Sequence, residues 1–122
     1  MKNKKLFFYR LFFIIWSLTI LFLTSLPKLR TPSAGILSSD KLAHFLVYMI
    51  FAFLYVKISR RNNLQTFRAL LVLALIIPFA DEVHQIPIPG REFSIFDIIA
   101  DMLGFTVILI LLKQKLIQPV QP

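Results

Sequence analysis

The chain has 122 residues, 57% of them hydrophobic and only 16% charged, with a net charge of +8 and no cysteine. A mean hydropathy of +0.75 is more than a soluble domain of this size can bury, so the bilayer is the expected solvent. The lack of cysteine excludes disulfides, thiolate chemistry, Cys-based zinc centres and a lipid anchor on Cys.

The first apolar segment is predicted as a helix over about 6–26. Its 16 uncharged residues from Leu11 to Leu26 follow a basic start and precede no A-x-A-like cleavage site, so it reads as a retained helix. Pro27 ends it, and Lys28 to Ser39, with Pro32, Ser33 and Gly35, reads as a loop. A second helix is predicted over 40–57, with Ser39 or Asp40 as N-cap. The basic stretch Lys57 to Asn63 follows. A third helix is predicted over 66–86. Its uncharged run, Ala69 to Ala80, covers only about 18 Å of a hydrocarbon core ~30 Å thick. To cross, it must draw Asp81, Glu82, His84 and Gln85 into its end, with a kink expected at Pro78. Pro89-Gly90 suits a type II turn. Ser94 and Asp97 then form a capping-box variant opening a fourth helix over 94–113. The tail from Gln118 is expected to fray.

The fold class is therefore all-α: one membrane domain over residues 1–122, an integral bundle of four transmembrane helices. Ten of the 14 Lys and Arg fall at the termini and in the 57–68 region, against Lys28, Arg30, Lys41 and Arg91 on the other side. Both termini are accordingly expected to be cytoplasmic. The cations lie in short groups between apolar runs, which suits anionic membrane lipids and not nucleic acid. All six acids, Asp40, Asp81, Glu82, Glu92, Asp97 and Asp101, fall toward the opposite, outer side.

Three helices thus carry polar stripes at similar depth. Asp40, His44 and Tyr48 share one face, with His44 about 6 Å and Tyr48 about 12 Å along the axis from Asp40. Lys41 lies beside them. Asp81 and Gln85 share a face of the third helix, with Glu82 adjacent. Asp97 and Asp101 share one on the fourth, with Gly104 a turn deeper, where a neighbouring helix can approach. An ionised carboxylate facing lipid costs several kcal/mol, so these stripes should face one another or a polar pocket. Plainer roles compete: Asp40 and Asp97 also suit helix caps, Tyr48 a core aromatic, His84 an interfacial side chain, Glu92 a solvated rim charge and Arg91 a headgroup anchor. Trp16 and the 13 Phe suit packing and lipid contact. His44 and Asp101 lie too deep to be caps.

Asp40-Lys41-x-x-His44-Phe45 with Tyr48, then Asp81-Glu82-x-x-Gln85, then Gly90-Arg91 followed by Asp97, Asp101 and Gly104, resembles in order and spacing the signature of the VanZ-like family, named from a teicoplanin-resistance protein. The resemblance runs from Asp40 to Gly104. It implies a small multispan bacterial plasma-membrane protein whose family positions are Asp40, Lys41, His44, Asp81, Glu82, Gln85, Arg91, Asp97 and Asp101. Where that pattern often has Asn, Asp101 removes an amide donor and adds a charge. Two readings follow. One is a non-enzymatic protein that holds a lipid or cell-envelope precursor at the outer leaflet through Lys41 and Arg91, with a role in teicoplanin-type resistance. The other is a membrane-embedded hydrolase or transferase using His44 as general base, or a metal held by His44 with Asp81, Glu82, Asp97 or Asp101. Ion-coupled transport would require an oligomer. The sequence names no substrate, cofactor, metal or oligomeric state.

Overall fold

The computed structural model describes residues 2–27 and 39–120. They form four α-helices, and among the described residues there is no strand. Helix α1 spans Lys2–Ser25, α2 Ser39–Ile58, α3 Asn63–Gln85 and α4 Ile95–Lys113. Three of them, α1, α2 and α4, are long and apolar enough to cross a membrane. The exception is α3, whose 23 residues include the polar end drawn in after Ala80.

The helix ends follow local chemistry. Helix α1 begins four residues before Leu6, because Lys and Asn carry no breaker and the long Lys stems tolerate a helical first turn. The expected loop between α1 and α2 lies outside the described residues, as does whatever precedes Ser39. Helix α3 starts three residues before Thr66. Asn62, in an extended conformation, accepts a 2.8 Å hydrogen bond on its side chain from the Gln65 amide. Pro78 stands inside the continuous α3 helix and removes the hydrogen bond that Ala74 would otherwise receive. The Pro89-Gly90 turn is type II in form: Gly90 has φ 77° and the Arg91 amide donates to the Ile88 carbonyl at 3.1 Å. Ser94 caps α4, its hydroxyl accepting from the Asp97 amide at 3.2 Å.

Packing is layered. Helix α4 lies against both α2 and α3, while α1 packs chiefly on α2. The core joins Tyr48, Ala52 and Val56 of α2 to Leu70 and Ala74 of α3 and to Phe105, Ile108, Leu109 and Leu112 of α4. Gly104 lets α2 and α4 close: a Cβ there would collide with the Phe45 carbonyl oxygen and lie 2.8 Å from the Met49 amide nitrogen. The Tyr48 and Phe105 rings stack just below, centroids 5.7 Å apart. Trp16 ties α1 to α2, its indole N–H donating to the Val47 carbonyl at 3.0 Å. Outward faces of all four helices expose Leu, Ile and Phe, as lipid contact requires.

The tail differs from the expected frayed end. Ile117 and Pro119 are buried, and the Val120 amide donates to the Lys57 carbonyl at 3.0 Å. The last turn of α2 leaves that carbonyl without a helical donor, and the tail supplies one. Tyr9 of α1 meets Phe53 and the Lys57 ammonium at this same end. The start of α1 and the tail up to Val120 therefore sit at one end of the bundle, and the acidic helix ends sit at the other.

Candidate functional site

At the acidic end α2 and α4 begin and α3 finishes, so three helices deliver their polar stripes to one place. The Lys41 ammonium bridges Asp97 of α4 and Asp40 of its own helix, the latter at 3.3 Å. One turn deeper, His44 Nδ1 lies 2.8 Å from Asp101 Oδ1, and its Nε2 lies 3.7 Å from Asp97 Oδ2. The His44 side chain is 10% exposed and that of Asp101 is fully buried.

Helix α3 closes the site. Glu82 Oε2 accepts from the Ser94 amide at 3.0 Å, pinning the end of α3 to the start of α4. The Tyr48 hydroxyl faces the Asp81 carboxylate. His44, Asp81, Glu82 and Asp101 each offer one ligand-type atom, and these four atoms all lie within 4.8 Å of one another. Asp81 Oδ2, Glu82 Oε1, Asp101 Oδ2 and Gln85 Nε2 are buried with no hydrogen-bond partner among the described residues. Folded proteins rarely leave buried polar atoms unpaired, and each one costs about 1–3 kcal/mol. Three carboxylate oxygens in one cluster, with Gln85 Nε2 a turn along α3, mark a place arranged for something other than its own packing.

Among the ten residues singled out from sequence, eight gather here: Asp40, Lys41, His44 and Tyr48 from α2, Asp81 and Glu82 from α3, and Asp97 and Asp101 from α4; Gln85 is buried one turn along the same face of α3. Arg91 does not join them. Its Nε and Nη2 donate to the Leu26 and Leu23 carbonyls at 3.1 and 2.8 Å. The guanidinium thus supplies a donor to the Leu26 carbonyl and a second one to the Leu23 carbonyl, which also accepts from the Leu26 amide, and its charge suits the negative end of the α1 dipole. The exposed His84 turns to α1 as well, its Nε2 3.0 Å from the Ser25 hydroxyl.

The contribution of α1 is what sequence reasoning missed. A cleft of about 300 Å³ runs between α1 and α3, with apolar walls that include Ile20, Leu21, Ile77 and Ala80. Asp81 and His84 stand at its polar end, and Tyr48 and Asp81 line both the cleft and the carboxylate cluster. Ser17 and Thr24 also line it. These two small polar residues seven apart share one face of α1, a spacing that is present in the sequence.

The family model described as VanZ/LLP1 matches residues 3–118. No curated protein and no solved structure matches the chain. The match spans all four helices and the whole polar cluster, so the chain belongs to the VanZ/LLP1 family and is a membrane protein of that family.

Proposed function

We propose that this protein engages the polar head of a lipid, or of a lipid-linked cell-envelope precursor, at the outer leaflet of the bacterial plasma membrane. One observation carries the reading: an apolar cleft between α1 and α3 ends on Asp81, whose Oδ2 also belongs to a cluster of buried, unpaired polar atoms. An acyl chain suits the cleft walls, and a hydrogen-bonding head suits the cluster. The outer-leaflet placement follows the cation asymmetry of the sequence.

Recognition does not rest on a pair of free cations. Lys41 is engaged by Asp40 and Asp97, and Arg91 by α1 carbonyls. The family's link to teicoplanin extends the proposal. A protein that holds or masks the antibiotic's lipid-anchored target would lower susceptibility of the cell that makes it.

Native mass spectrometry of detergent-purified protein tests the reading. The wild type should retain a phosphate-bearing amphiphile, and Ala80→Trp, which fills the cleft, should lose it. Equal retention by both proteins contradicts the proposal.

The 2.8 Å contact between His44 and Asp101 favours a second reading, a membrane-embedded hydrolase or transferase. With Nδ1–H donated to Asp101, Nε2 keeps a lone pair and can take a proton from an attacking water or hydroxyl, then hand it to the oxygen that leaves as the head's ester bond breaks. Turnover of a headgroup by the wild type and its loss in His44→Gln, with lipid still retained, would select this reading over simple binding.

A further inference from the structure

The acids at this end divide by counter-ion. Asp40 and Asp97 share the Lys41 ammonium. No Lys or Arg of the described residues pairs with Asp81, Glu82 or Asp101; three carboxylates converge there, and among the described residues only the imidazoles of His44 and, beside Asp81, His84 can supply an opposing charge. Arg91, the next cation along the chain, is committed to α1. Carboxylates this close in a low-dielectric site repel one another strongly and call for a positive charge between them.

We infer that His44, Asp81, Glu82 and Asp101 form a divalent-cation site. The spacing suits one: donor atoms around an ion at about 2.1 Å lie about 3–4.2 Å apart in an octahedron, and these lie within 4.8 Å. The donor set suits one too. Three carboxylates and an imidazole form a hard, mostly oxygen shell that matches Mg²⁺ or Mn²⁺ better than a thiophilic metal. Independent of the clustering, Glu82 and Asp101 are fully buried and each leaves an oxygen without a hydrogen bond. The ligands come from three different helices, and Glu82 is held by a contact outside the set, through the Ser94 amide. A site held in this way needs little rearrangement to bind an ion.

The ion would give an acidic pocket the positive charge that a phosphate head requires. In linking the ion to a phosphate head the inference rests on the amphiphile reading; the ion site itself stands on the side-chain geometry. The four ligands leave positions open for water or a phosphoryl oxygen in a six-coordinate shell.

Titrating Mn²⁺ into metal-free, detergent-purified protein, followed by electron paramagnetic resonance, tests the inference. One saturable site per chain is expected, with nitrogen modulation from the His44 imidazole in the pulsed spectrum. Glu82→Gln and Asp101→Asn should each weaken it at least tenfold, and His44→Gln should remove the nitrogen signal. Glu92→Gln, at an exposed carboxylate, should bind as the wild type does. Circular dichroism of each variant confirms that the helices have formed. Absence of saturable binding in the wild type, or equal affinity in folded Glu82→Gln and Asp101→Asn, overturns the cation site. Ala80→Trp separates the two proposals: it should keep Mn²⁺ while losing the amphiphile. Loss of Mn²⁺ from a folded Ala80→Trp would overturn the assignment of the ion to the cluster alone.

Discussion

At the scale of single residues, the cluster sets function against stability. Asp101 is fully buried, and only one of its two oxygens is paired, to His44. A residue retained for packing would stabilise the fold, whereas one retained for a ligand stabilises it only when that ligand is present. Asp101→Asn keeps an acceptor for His44 and removes a buried charge. In chelator-containing buffer it should therefore raise resistance to denaturation, by about 1 kcal/mol. The same substitution should abolish the stabilisation that added Mn²⁺ gives the wild type. Denaturation curves with and without Mn²⁺ read both effects, and a destabilised Asp101→Asn indifferent to the metal would reduce Asp101 to a packing role. Arg91 shows the limit of reading single residues. Its position after a Pro-Gly turn was legible, but its acceptors are backbone carbonyls of α1, which have no side-chain signature.

At the scale of elements, the site depends on how closely α2 and α4 approach. Gly104 sits where the α2 backbone passes, one turn deeper than Asp101. Gly104→Ala places a Cβ against the Phe45 carbonyl and the Met49 amide, which are main-chain atoms and cannot rotate away. The helices must separate there, at a cost of about 1–3 kcal/mol. The change should also move His44 away from Asp101. Thermal unfolding in detergent should show the loss, and Mn²⁺ affinity should fall with it; an unaltered Gly104→Ala would mean that the close approach is not needed. Much of this level was legible in sequence. Ser94 and Pro89-Gly90 marked their cap and turn because those residues act through local geometry. Helix α3 starts three residues earlier than its apolar pattern indicates because Asn62, at the end of the basic loop, caps it with its side chain. The docked tail was illegible for a different reason: Val120 meets Lys57 only after α2 and α4 have packed.

At the scale of the molecule, the two ends of the bundle differ in charge and in task. One holds the start of α1, the docked tail and most of the cations of the described residues; the other holds the acidic cluster. The paired polar stripes were legible because carboxylates at helical spacing in an apolar chain have few places to go. The cleft was not, because α1 brings no charge to it and marks it only by Ser17 and Thr24, seven residues apart on one face. The charge asymmetry predicts which end faces outward. The native chain has no cysteine, so single-cysteine variants report on one position each. An impermeant maleimide added to intact cells should label Glu92→Cys and spare Gln65→Cys; the reverse pattern would invert the topology.

The central claim is that the cleft and the carboxylate cluster together receive an amphiphile. A photocrosslinking amino acid at position 80, activated in native membranes, tests it most directly. The account predicts a discrete adduct with a phosphate-bearing amphiphile, lost when Asp101→Asn is added. A crosslinker at the lipid-facing Ile110 should yield only bulk-lipid adducts. The same lipid mixture at both positions, unaffected by Asp101→Asn, would contradict the account.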